Sequence, residues 1–169
     1  MASGILEAPR KLEKRDGKKA FASGAGELDT WLKEYAWQNQ RANNAVTYVS
    51  VLDGEVVGFY AIAAAGVSHE SVGADFSKRR PDPIPCVLLA RLAVDERAQG
   101  RGVGANLFRD AIQRSLAVSE GMGAAALLIH CRDESARSFY LGLVDAFPSP
   151  VDDLHLIVPM RAIADQLQS

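Results

Sequence analysis

The chain has 169 residues, 48% of them hydrophobic and 24% charged, with a formal net charge of -2. This is the composition of one ordinary globular core, expected as a single domain over residues 1–169. The near-neutral balance excludes a protein that coats nucleic acid indiscriminately, while leaving room for a local basic patch.

The stretch Met1 to Ala20 is polar and lysine-rich, with no apolar h-region, so no signal peptide is expected. The longest apolar run, Phe59 to Val67, is too short to span a bilayer, and a cytoplasmic location follows by default. Met1 to Ala8 reads as frayed, and Leu12 as part of a short strand within Pro9 to Lys14. Phe21 to Gly26 is a loop. From Glu27 the spacing of Leu28, Trp31, Leu32, Tyr35 and Ala36 predicts a helix ending near Asn43-Asn44. Ala45 to Leu52 reads as a strand, Asp53-Gly54 as a hairpin turn and Glu55 to Val67 as the returning strand. Ser68 to Pro85 reads as a long loop holding Lys78-Arg79-Arg80 and then Pro81, Pro83 and Pro85.

Cys86 to Val94 is a further strand, apolar except for Arg91, for which an acidic partner is expected. A glycine-rich connection, Asp95 to Gly104, leads into a helix from Val103 to Ser119, broken by Gly121 to Gly123. Ala124 to Cys131 is a buried-type strand, and Asp133 caps a helix from Glu134 to about Leu143. Pro148 and Pro150 mark a loop, Leu154 to Met160 a last strand, and Arg161 to Leu167 a short terminal helix. The layout is α+β on a mixed central sheet flanked by helices. Cys86 and Cys131 match no metal spacing and read as small buried hydrophobes of a reducing compartment, so no metal is expected.

The most informative stretch is Gln99-Gly100-Arg101-Gly102-Val103-Gly104, set between a strand and a helix. The first amides of a helix lack intrahelical partners and carry partial positive charge. Glycines allow positive φ and a close approach of the backbone to phosphate, and Arg101 adds charge at the mouth, so the turn suits a pyrophosphate. A purely structural turn is the bland alternative. A dinucleotide-binding fingerprint fits loosely through Gly100, Gly102 and Ala105, but the preceding strands form a hairpin and the next strand ends in His130-Cys131 rather than an acid. A P-loop fails for lack of Gly-Lys-Ser/Thr.

Gln99, Gly102 and Gly104 match Gln/Arg-x-x-Gly-x-Gly/Ala, the signature of the GNAT acetyltransferases, and the chain resembles that family. From Phe21 to Met160 it is similar to the GNAT toxins of toxin–antitoxin pairs. The residues that carry this are Phe21-x-x-Gly24 with Leu28-Asp29-Thr30-Trp31-Leu32, Asn39-Gln40, Gly58-Phe59-Tyr60, Pro83-Ile84-Pro85, Leu89-Ala90-Arg91-Leu92-Ala93-Val94-Asp95 and Phe139-Tyr140. One departure is the longer spacing from Tyr140 to Phe147, with Ala146 where the family has glycine.

The resemblance implies a GNAT fold that binds acetyl-CoA. Its pyrophosphate lies on Gln99, Gly100, Arg101, Gly102, Val103 and Gly104, and its pantetheine arm along Leu92, Ala93 and Val94, where the strand splays from its neighbour. A free amide there also suits an oxyanion. Tyr140, on residues alone a core aromatic, becomes the general acid for the leaving thiolate. The implied substrate is the α-amino group of an aminoacyl-tRNA, whose acetylation blocks translation. A ribbon-helix-helix antitoxin and a homodimer are the implied partners. Lys78, Arg79 and Arg80, with Lys33 and Arg41, are candidates for tRNA phosphates; a solvated charge run is the alternative for the triplet.

The chemistry agrees with this substrate. A lysine amine has a pKa of about 10.4, an α-amino group one of about 7.7–8.0 and an aminoacyl ester amine a lower one still, so no strong base is required. Neither cysteine has an activating neighbour, so transfer is expected to be direct. Two other classes compete: a GNAT enzyme acting on a small amine or protein amine, and a non-catalytic acyl-CoA-binding partner of a repressor.

Overall fold

The computed structural model describes residues 4–168. In chain order it contains β1 (Arg10–Lys11), α1 (Gly26–Thr30), a π-helical turn (Trp31–Tyr35), α2 (Ala36–Arg41), β2 (Val46–Leu52), β3 (Glu55–Val67), α3 (His69–Val72) and α4 (Ala74–Ser77). There follow β4 (Ile84–Val94), a 3₁₀ turn (Glu96–Ala98), α5 (Val103–Met122), β5 (Ala126–His130), α6 (Glu134–Leu141), β6 (Phe147–Ser149), β7 (Asp152–Pro159) and α7 (Met160–Gln168). The strands form one mixed sheet in the order β1-β2-β3-β4-β5-β7-β6, in which β4 and β5 run parallel. The α+β expectation stands. The chain gathers into two compact units: one takes the chain up to Ala63 with Arg91–Ala111, the other Ala64–Ala90 with the chain from Ile112 onward.

In the first unit the hairpin between β2 and β3 turns on Asp53 and Gly54, at φ 52° and 79°. Two successive left-handed residues give the twist that a two-residue connection needs, which is why Asp-Gly is so strong a signal. The helical stripe from Leu28 to Ala36 packs on this hairpin. Trp31 stacks on Phe59 with centroids 6.1 Å apart, Phe21 meets Phe59 edge-on at 5.6 Å, and Leu12, Val49 and Val51 belong to the same cluster. The π-helical turn in the middle of the stripe was not visible in the spacing. At its end the Gln40 side chain donates to the Leu12 carbonyl (2.9 Å) and accepts from the Thr47 amide (3.0 Å), joining α2 to the β1–β2 edge. The Glu7 amide donates to the Val51 carbonyl at 2.9 Å, so fraying does not extend through Ala8; Met1–Ser3 lie outside the described residues.

In the second unit the segment expected as a long loop contains α3 and α4, joined at Gly73. Val72 and the half-buried Phe76 lie against a core of Ile84, Cys86, Ala126, Leu128 and Ile157. Apolar burial therefore orders a stretch whose four-residue helices are too short to show a period. The ladder between β4 and β5 runs from Val87↔Leu127 to Leu89↔Ile129, and β4 continues beyond it to Val94. α5 extends past the predicted end at Ser119 to Met122 and stops at Gly123, φ 84°, whose amide donates to the Ser119 carbonyl at 3.0 Å. Asp133 caps α6 as expected, accepting from the Ala136 amide at 2.8 Å. Beyond Tyr140 the amides of Leu143 and Val144 both turn back to its carbonyl, which accommodates the longer spacing to Phe147. The Pro148 region is not a loop: β6 is the sheet's outermost strand, where a missing amide does no harm.

Candidate functional site

The connection after β4 is built around Asp95, which is 1% exposed. Its carboxylate accepts from the Ala22 amide at 3.0 Å, from the Arg97 amide at 2.8 Å, and from the Arg97 guanidinium at 2.8 and 3.1 Å. Burial pushes its pKa up, but the Arg97 guanidinium and the two amides outweigh this and hold the carboxyl below its ordinary range. Arg97 also reaches Glu55 at 3.2 Å, so its charge is already met. Sequence reasoning gave Asp95 and Arg97 no role: a lone acid after a strand reads as a loop residue.

Beyond the 3₁₀ turn, the Gln99 carboxamide donates to the carbonyls of Ser23 (3.0 Å) and Val94 (2.9 Å). Gly100 and Gly102 are exposed at φ 78° and 80°, and a Cβ at either would meet nothing within 4 Å. The glycines are thus required by backbone conformation, and the space before them is open. α5 begins at Val103, and its first turn closes with the Asn106 amide on the Gly102 carbonyl at 3.0 Å. The amides of Val103, Gly104 and Ala105 therefore have no partner within the helix. Three N–H groups without helix partners at a helix N-terminus, next to exposed Arg101 in the chain, can accept an anion such as a diphosphate. Leu92 and Val94 are half-buried and Ala93 is buried at the end of β4.

Arg91 has no acid partner among the described residues. Its guanidinium lies over the Trp31 ring, 4.4 Å from the centroid, and burial lowers its pKa. The expected ion pair is replaced by a cation–π contact.

In the second unit Tyr140 sits in α6 and is 6% exposed. Burial first, and then the neighbouring Cys131, push the phenol pKa well above its usual value. The group stays protonated at neutral pH, as a proton donor must. The Cys86 and Cys131 thiols are each pushed up to about 11 by burial, which disfavours their thiolate forms.

Lys33 and Arg41 are exposed in the first unit, and Lys78, Arg79 and Arg80 in the second. The triplet is held in shape. Arg80 lies 4.5 Å over the Phe76 ring and donates to its carbonyl at 2.9 Å, while His69 Nε2 lies 3.0 and 2.9 Å from the carbonyls of Arg80 and Pro81. His130 and His155 stack at 3.9 Å. Among the described residues no group of three or more His, Cys, Asp or Glu is placed to hold a metal. Among the described residues no helix is long and apolar enough to cross a membrane.

A mixed sheet with an open amide turn between its fourth strand and the next helix defines an acyl-CoA-type transferase architecture. The chain belongs to the acetyltransferase (GNAT) family, whose model matches residues 11–143. It is similar to the tRNA-acetylating toxin of Mycobacterium tuberculosis, with 40% identity over 154 residues, covering 91% of this chain and 92% of that one. It is also similar to the probable toxin TacT of Sinorhizobium fredii, with 30% identity over 159 residues and 88% of each chain covered. Among solved structures, AtaT complexed with acetyl-methionyl-tRNAfMet shares the fold. The TM-score is 0.87 at 23% identity, covering 98% of this chain and 100% of that one. The protein is an acetyl-CoA-dependent N-acetyltransferase.

Proposed function

We propose that this acetyltransferase is a toxin that acetylates the α-amino group of aminoacyl-tRNA and so blocks translation, with residues 1–169 acting as one catalytic domain. The observation that carries the reading is 40% identity, along 91% of the chain, to a relative named for acetylating tRNA. The geometry supports it. Acetyl-CoA supplies the thioester. The free amides of Val103, Gly104 and Ala105, with Arg101, bind its diphosphate, and the backbone of Leu92, Ala93 and Val94 takes the pantetheine arm. The neutral amine attacks the thioester carbonyl, the C–N bond forms and the C–S bond breaks. Tyr140 delivers its proton to the departing sulfur, the amine's proton leaves to solvent, and a proton from solvent restores the phenol. Burial raises the Tyr140 pKa, so the phenol is neutral and carries its proton at neutral pH.

Lys33, Arg41, Lys78, Arg79 and Arg80 contact tRNA phosphates. The partners are a ribbon-helix-helix antitoxin and a second copy of the chain, and the setting is the cytoplasm. The test is single-turnover acetyl transfer to charged tRNA by wild type and Tyr140→Phe. Loss of a general acid lowers the chemical step by about 10²–10⁴-fold with both substrates still bound, and the variant no longer arrests growth of a bacterial host. A Phe variant transferring at the wild-type rate refutes the role of Tyr140. A wild-type enzyme inert on charged tRNA but active on small amines refutes the substrate.

A further inference from the structure

The segment Phe21–Ala25 is fastened to the base of the turn by three bonds. Ala22 donates to Asp95 at 3.0 Å, Glu96 donates to the Ala22 carbonyl at 2.8 Å, and Gln99 donates to the Ser23 carbonyl at 3.0 Å. Ser23 is fixed in turn by Asp29 of α1, which accepts its amide at 3.1 Å and its hydroxyl at 2.6 Å. We propose that Asp95 and Gln99 are positioning residues for the diphosphate of acetyl-CoA: neither touches the ligand, and together they fix the direction of the turn's amides by pinning it to this segment. The inference rests on the reading of the turn given above.

A buried carboxylate beside an anion site is unfavourable unless its charge is met. Here two oxygens receive four donors, and the charge is balanced by Arg97. Asp95 therefore repels the ligand little and has no acceptor left to offer. Arg97 is occupied by Asp95 and Glu55, which leaves Arg101 as the cation of the turn. Gln99 is the signature residue of the motif, yet its amide hydrogens are given to Ser23 and Val94. Its part in the motif is to latch the turn.

Asparagine at position 95 keeps one acceptor oxygen and turns an NH₂ toward donors, so it loses part of the network. Gln99→Ala removes both latch bonds from an exposed side chain and leaves the core untouched. The experiment compares acetyl-CoA with S-acetylpantetheine, which has the same thioester and no diphosphate, using charged tRNA as acceptor. The expected result for Asp95→Asn is a KM for acetyl-CoA raised about tenfold or more, the scale of lost charge-assisted hydrogen bonds. Gln99→Ala gives a smaller rise. For both, kcat at saturating acetyl-CoA and kcat/KM for S-acetylpantetheine stay at wild type. Equal losses with both thioesters reveal general damage and overturn the proposal. If Asp95→Asn fails to fold, Gln99→Ala decides alone. Gly102→Val separates the two layers of argument. If it raises the acetyl-CoA KM while the other two do not, the positioning role is wrong and the turn stands. If it has no effect, the turn itself is misassigned and the proposal falls with it.

Discussion

Gly58 sets how closely β3 and the start of α5 approach. A Cβ there would lie 2.8 Å from Leu107 Cδ1, 3.0 Å from Val103 Cγ1 and 3.6 Å from the Ala93 carbonyl oxygen. Leu107 is 0% and Val103 3% exposed, so neither can swing into solvent to make room. Gly58→Ala must then push the first turns of α5 outward. Overpacking of this kind costs about 1–3 kcal/mol, and removing a glycine from a strand returns about 0.5–1 kcal/mol of it. The net loss of about 0–2.5 kcal/mol lowers Tm by up to about 10 °C for a chain of this length. Val103 also carries one of the free amides of the turn, so the rise in Tm produced by acetyl-CoA should shrink as well. Thermal unfolding with and without acetyl-CoA measures both effects. Leu107→Ala opens space opposite the new methyl, so the double variant should be more stable than the sum of the single losses, by about 0.5–3 kcal/mol. A Gly58→Ala protein that melts above wild type, or a strictly additive double variant, refutes the packing argument.

Gly102→Val forces a β-branched residue to φ 80°, a strain of about 1–3 kcal/mol that the turn relieves by turning its amides away. Calorimetry should show acetyl-CoA affinity lost while the fold persists. Replacing Lys78, Arg79 and Arg80 with glutamine should raise KM for charged tRNA, flatten its salt dependence and leave acetyl-CoA binding alone; unchanged tRNA kinetics would make the triplet a solvated face. Asp95 titrates below its unfolded value of about 3.9, so its contribution is present above that pH and is lost as pH falls through the folded pKa. Acid unfolding followed by circular dichroism should therefore be shallower below about pH 4 in Asp95→Asn than in wild type.

Features with a strong local cause were legible in the sequence. Asp53-Gly54 demands left-handed backbone, Asp133 caps α6, and Gly100 and Gly102 occupy positive φ. The stripe from Leu28 to Ala36 announces its buried face because the helical period repeats. What was missed depends on contacts distant in sequence. α3 and α4 are ordered by Val72 and Phe76 packing on β4, β5 and β7, which no four-residue window reports. β6 exists because an outermost strand tolerates Pro148. Arg91 was expected beside an acid because a charge among apolar residues needs compensation, and an aromatic face supplied it. The motif did not show where the Gln99 carboxamide bonds, which is to two carbonyls, one of them in a segment more than seventy residues earlier.

One carboxamide in this molecule stands in for a peptide unit. β1 and β2 pair through Arg10↔Val49 and Lys11↔Tyr48, and the Leu12 amide bonds to the Thr47 carbonyl. Gln40 then bridges the remaining Leu12 carbonyl and Thr47 amide with its own donor and acceptor. The continuity of that sheet margin consequently depends on a side chain that can age chemically, as no backbone rung can. Hydrolysis of the Gln40 amide to an acid leaves the Thr47 bond intact but sets a carboxylate against the Leu12 carbonyl, turning attraction into repulsion at one atom. The durability of this corner is therefore a matter of amide chemistry as well as of heat.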